Sequence, residues 1–155
     1  MRERIQQAMK DAMKSGDKRR LSTLRLVTAA IKDRDIAGRV DDKGQSTGKD
    51  RVEDSDILAL LQKMIKQRRE SVEIYTQGGR QELAEQETAE IAIIEEFLPA
   101  QMGEDEIRAA AKSVVADLGA TGLKDMGRVM AALKEKYTGQ MDFSKASAMV
   151  KEALK

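Results

Sequence analysis

Apolar residues in this chain recur at three- and four-residue steps from one end to the other, and nowhere alternate with polar ones over a strand's length. That period confines the chain to helices, whose 3.6-residue turn gathers such positions on one face, and excludes the period-two pattern of a half-buried sheet. The longest case is residues 55–77, where Ile57, Leu58, Leu61, Met64, Ile65, Val72 and Tyr75 share a stripe. Asp54 or Ser55 is placed to cap its start by accepting from free backbone N–H groups, and Gly78-Gly79 to end it in a left-handed turn. Arg68 falls on the stripe where a hydrophobe is due, which gives it a buried, structural role. Lys63, Lys66 and Arg69 crowd the adjoining surface. Charges beside a buried face must be paired or shown to something anionic.

The same pattern marks six more helices. Residues 2–14 place Ile5, Ala8, Met9, Ala12 and Met13 inward and close at Ser15-Gly16. Asp17 caps a helix reaching Ala37, with Leu21, Leu24, Val27, Thr28 and Ile31 inward. Residues 80–97 turn Leu83, Ile91, Ile94 and Leu98 inward, and Pro99 blocks continuation. Beyond it come three shorter stripes: Ile107, Ala110, Ala111, Val114 and Leu118; then Leu123, Met126, Met130, Leu133 and Tyr137; then, after a cap at Asp142, Ala146, Met149, Val150, Ala153 and Leu154. The expected architecture is all-α in two parts. A helical bundle occupies 1–98 and a small three-helix unit 100–155, the latter near the lower size limit for an independent core. Residues 38–53 are polar, rich in Gly, Ser and Asp, and without a period, so they read as a mobile loop.

Charge and chemistry narrow the function. The 28 Lys+Arg and 27 Asp+Glu are balanced on both sides of Pro99, 19 against 19 before it and 9 against 8 after it. No global polycation exists, so any anion site must be local. With no Cys and no His, disulfides, thiol or imidazole catalysis and thiolate metal sites are excluded. Two motifs fail on spacing. Gly44-Gln-Ser-Thr-Gly48-Lys49-Asp50 has three residues between its glycines where a phosphate loop needs four, and Asp50 stands in place of Ser or Thr. In Asp33-Arg-Asp35-Ile-Ala-Gly38, Ala37 replaces a calcium ligand and Gly44 the bidentate Glu. The acidic run Glu82, Glu85, Glu87, Glu90, Glu95 and Glu96 lacks the His of a di-metal bundle, and is expected to lie against basic residues of neighbouring helices. No catalytic residue, metal or cofactor is expected. The start Met-Arg-Glu-Arg-Ile has no signal-peptide core, and no run reaches transmembrane length, so a cytoplasmic protein is expected.

What remains is binding. Lys18, Arg19 and Arg20 sit in the first turn of their helix and oppose its dipole, at about 0.3–1 kcal/mol each when exposed. Three together imply an acidic partner helix or a bound anion. With Arg25, Lys63, Lys66 and Arg69 they form the candidate anion-binding set of the first part. Lys124, Arg128 and Lys134, around the turn Asp125-Met-Gly127, form that of the second.

Leu21-Ser-Thr-Leu-Arg25, Gln62-Lys-Met-Ile-Lys-Gln-Arg-Arg-Glu-Ser71, Glu90-Ile91 leading to Phe97-Leu-Pro99, and Asp125-Met-Gly-Arg-Val-Met130 followed by Met149-Val-Lys-Glu-Ala-Leu154 occur in that order. Together they resemble the GatB/YqeY-like family over nearly the whole chain. In that family the fold also closes the GatB polypeptide of the aspartyl/glutamyl-tRNA amidotransferase, as a helical tail that helps recognise transfer RNA. The resemblance implies an adaptor that meets transfer RNA, or an RNA–enzyme complex, by shape and phosphate contacts. A protein–protein module without RNA is the alternative. Glutamine-dependent carbon–nitrogen ligation by this chain alone ranks lower, because the amidotransferase's catalytic portions lie outside the tail. One departure bears on binding: Gly139-Gln-Met-Asp142 stands where the family often has Gly-Arg-Ala-Asp, which removes a phosphate-contacting Arg.

Overall fold

A computed structural model describes residues 1–48 and 51–155 as seven α-helices and one short 3-10 turn, with no strand among the described residues. The helices are α1 (Arg2–Ser15), α2 (Lys18–Ala37), α3 (Asp54–Gln77), α4 (Gln81–Glu95), α5 (Glu104–Asp117), α6 (Met126–Lys136) and α7 (Phe143–Ala153), with the 3-10 turn at Leu123–Asp125. The chain divides into two compact units, Met1–Leu98 and Pro99–Lys155.

In the first unit α1 packs on α2, α2 on α4, and α3 and α4 on each other. Gly16 and Gly79 make the two tight returns with φ of 73°, a left-handed conformation that any side chain would strain. Asp17 caps α2 by accepting from the Arg20 N–H at 3.1 Å. Glu53, one or two residues earlier than the sequence suggests, is the N-cap of α3, and Asp56 reaches back to accept from its N–H at 3.3 Å. Leu24, Val27, Ile57, Leu61 and Ile94 are fully enclosed in the core, each stabilising the fold by about 1.5–3 kcal/mol relative to exposure. Met13, expected inside, is 53% exposed, because the line α1 buries completely runs through Ile5 and Ala12 and leaves Met13 to one side.

Along α4 and the turn that follows it the buried line runs through Ala84, Ile91, Ile94 and Phe97, leaving Leu83 and Leu98 half-buried. Glu87 lies on that same line. It therefore meets Arg68, which occupies the equivalent line of α3, and the two helices share a polar layer within an apolar interface.

The stretch after α2 has more order than its composition suggests. Val40 and Ser46 pair as an isolated antiparallel bridge. Asp41 accepts from the N–H groups of Lys43 and Gln45, both at 2.9 Å, and Gly44 takes a left-handed φ of 76°. Lys49 and Asp50, the end of the phosphate-loop near-miss, lie outside the described residues. Asp35, from the calcium near-miss, has another task. Its carboxylate takes two bonds from the Arg2 guanidinium, at 2.9 and 2.6 Å, and one from the Val52 N–H at 2.8 Å, while Arg2 also donates to the Val52 carbonyl at 3.1 Å. This clasp joins the start of α1, the end of α2 and the entry to α3.

The second unit is a three-helix cluster closed around Ile107, Val114, Val129, Leu133, Met141, Ala146 and Val150. Asp142 caps α7, accepting from the Ser144 and Lys145 N–H groups at 2.9 and 3.3 Å. Several positions differ from the sequence reading, among them Ala153, expected inward but exposed at the end of α7. Leu123 is 51% exposed, because the 3-10 turn breaks the phase before α6 begins, and Val129 takes the inward place. Met141, in the turn between α6 and α7, is wholly enclosed, so the residue beside the missing family Arg serves the core.

Candidate nucleic-acid interface

The acidic run on α4 decides which cations are available. Arg68, its side chain 14% exposed, donates from Nε to Glu90 at 3.1 Å, with Glu87 at 4.0 Å. Burial, and then the neighbouring Glu90 charge, push the Glu87 carboxyl above its ordinary range, against the pull of Arg68. Arg69 pairs with Glu95 at 2.8 Å, and Arg20 pairs with Glu96. Lys66 also has a partner within the chain. The Glu face is thus laid against α2 and α3, and it occupies Arg20, Arg68 and Arg69. Lys18, Arg25 and Lys63 are exposed and, like Arg19, form no ion pair with a described residue.

These residues do not converge on one site. Lys18 and Arg25 line a shallow depression of about 330 Å³ along α2, with Leu21, Ser22 and Leu26. Lys63 belongs to α3, and Arg19 turns to another side of α2. A second depression, of about 300 Å³, adjoins the Arg2–Asp35 clasp. It sets Arg34 and Arg51 against Asp35, Glu53 and Asp56, so it offers an anion no net attraction. Among the described residues no group of three carboxylates is placed to hold a metal ion.

In the second unit Lys124 stands on the 3-10 turn and Arg128 and Lys134 on α6, all exposed. Arg128 makes only an exposed one-turn pair with Asp125, at 3.2 Å. Asp125 itself is held below the usual carboxylate range, first by the Thr121 N–H that donates to it and then by the Arg128 charge. Gly127 and Ala131 lie between these cations on the helix surface. Gly127 has helical backbone, not a left-handed φ, and a Cβ placed there would meet nothing within 4 Å. Neither conformation nor packing within the chain explains a glycine at this position. The sequence marks Gly127 only as part of a turn; its exposure could be found only once the phase of α6 was fixed.

The molecule is therefore an all-α chain of two helical units whose distinctive surfaces are charged helix faces. It belongs to the YqeY-like protein family, whose model matches residues 2–154. Among curated relatives it is 31% identical, over 84% of its length and 70% of theirs, to a Pyrenophora tritici-repentis protein named altered inheritance of mitochondria protein 41, mitochondrial. The protein of the same name from Eremothecium gossypii is 29% identical, over 97% of this chain and 78% of its own. No helix among the described residues is long and apolar enough to cross a membrane.

Proposed function

We propose that this protein is a non-catalytic helical adaptor associated with transfer RNA, and that the outer face of α6 meets the RNA backbone. The observation that carries this reading is Gly127, open on its outer side, on a stretch that also exposes Lys124, Arg128 and Lys134. A glycine inside a helix is less favourable than alanine by roughly 0.5–1 kcal/mol, and its usual return is close approach of another backbone. Three exposed cations along the same stretch suit phosphate oxygens, and the scarcity of aromatic residues, 3% of the chain, argues against base stacking. The resemblance to a transfer-RNA-recognising tail supports the same class of partner.

The test is a gel shift with total transfer RNA across a salt series. Replacing Lys124, Arg128 and Lys134 together by Glu should weaken binding and flatten the salt dependence by about 0.7–0.9 for every phosphate no longer neutralised. Gly127→Leu should weaken it without lowering the melting temperature. Wild-type affinity and slope in both variants would overturn the reading. The cytoplasm is the compartment we propose; the names of the two fungal relatives make mitochondria the alternative, and a fluorescent fusion separates them.

A further inference from the structure

We propose that the outward face of α2 is a docking seam for an acidic amphipathic helix of another protein. Lys18, Ser22, Arg25, Ala29, Lys32 and Ile36 step along α2 by four and three residues in strict alternation, and all six are exposed. Two columns result, each repeating every seventh residue: a cationic one, Lys18, Arg25 and Lys32, and a small or apolar one, Ser22, Ala29 and Ile36. This is the spacing of a helix–helix seam, in which the side chains of one helix enter holes formed by the other. At 1.5 Å per residue the cations stand about 10 Å apart, and the seam runs for about 27 Å.

The opposite side of α2, carrying Leu24, Val27 and Ile31, already supplies the core, so this face is not needed to hold the unit together. A solvent-facing side would ordinarily be polar. Here Ile36 is 60% and Leu26, beside the seam, 49% exposed. One such residue would mean little; two along a regular cationic row form a two-part pattern. Ser22 and Ala29 leave room for a partner backbone to come close.

Charge selects the occupant. The three cations form no ion pair with described residues, and Asp33 is the one acid on this face of the helix. A partner helix with carboxylates at seven-residue intervals would meet them one to one. A second copy docking by the same face would oppose Lys18, Arg25 and Lys32 to themselves, which disfavours it. Nucleic acid would use the cations but leave Ile36 and Leu26 without contacts. The seam lies on a different unit from the α6 face and does not depend on the transfer-RNA reading.

The test uses the full chain and a synthetic 21-residue helical peptide with Glu in one heptad column and Leu in the other, followed by fluorescence anisotropy. A twin peptide with Lys in place of Glu is the control. The wild type should bind the Glu peptide at least tenfold more tightly than the Lys peptide, and less tightly as salt rises. Lys18→Glu, Arg25→Glu and Lys32→Glu together should reverse that preference. Should this variant misfold, Leu26→Ser with Ile36→Ser serves instead, and should weaken the Glu peptide about tenfold while leaving transfer-RNA affinity unchanged. Equal affinity for the two peptides would overturn the proposal. So would a wild-type dimer in sedimentation that the serine pair dissociates, or loss of RNA binding in the serine pair.

Discussion

Asp35→Asn isolates the charge in the clasp that ties α1, α2 and the entry to α3. The substitution keeps shape and volume, and its carbonyl oxygen can still accept from Arg2 or Val52. Arg2, first through its side-chain hydrogen bonds, holds the Asp35 carboxyl down from its ordinary 3.8 to about 2, against the opposing effect of burial. At about 1.4 kcal/mol per pH unit that difference corresponds to at most ~2.5 kcal/mol. The Asp35 side chain is 12% exposed and Arg2 15%, so solvent screening reduces the expected contribution to about 1–2 kcal/mol. For a unit of this size each kcal/mol shifts the melting temperature by about 4–8 °C. Asp35→Asn should therefore melt roughly 4–16 °C below wild type at pH 7 by circular dichroism. Because the folded pKa is the lower one, the contribution is complete above about pH 5, near half at about pH 3 and lost by about pH 1. The gap between the two proteins should narrow accordingly on acidification. Equal melting temperatures at pH 7, or a gap that stays constant down to pH 2, would refute the reasoning, since lost packing does not titrate.

Glu87→Gln should leave the first unit as stable as wild type or raise it by less than about 1 kcal/mol at pH 7, because Arg68 keeps Glu90 while a disfavoured charge is removed; a clear loss in a thermal melt would show that the Glu87–Arg68 pair is the stronger one. Asp142→Ala strips two N–H groups of their acceptor at the start of α7 and should cost about 1 kcal/mol, read by urea unfolding. Gly16→Ala and Gly127→Ala should move in opposite directions. The first forces a side chain into a φ of 73° and destabilises by about 1 kcal/mol, whereas the second adds a methyl group to an open helix surface and is neutral or stabilising.

Several helices could be read from the sequence because they carry their own punctuation: Asp17 and Asp142 as caps, Gly16 and Gly79 as left-handed stops. The structural role of Arg68 was also legible, since a charge on an apolar stripe is tolerated only with a counter-charge packed against it. What escaped depends on phase and partner. Leu123 and Val129 differ by six residues, and only the position where the 3-10 turn gives way to α6 decides which of them faces inward. Met141 sits in a turn, where no period exists to mark it as core. The candidate cations illustrate the same limit. Sequence groups Arg19, Arg20 and Arg25 on one helix, yet Arg20 has Glu96, which is 76 residues away in the chain. Residue type shows that a cation exists; only tertiary packing shows whether it is already occupied. Lys32 and Ile36 carry no signal in the sequence, because their exposure, not their identity, makes them notable.

Each hydrophobic cluster is assembled wholly from its own side of the Leu98–Pro99 junction. Cooperativity follows packing, so the heat absorbed on unfolding should resolve into two calorimetric components, and one van 't Hoff enthalpy would understate the total. The chain supplies a reporter for each: Tyr75 is the lone tyrosine of the first unit and Tyr137 that of the second, with no tryptophan to mask either. Silencing one with Tyr→Phe leaves the fluorescence of the other to follow its own unit. On that readout the effects of Asp35→Asn and Asp142→Ala separate, the former displacing only the Tyr75 signal and the latter only that of Tyr137.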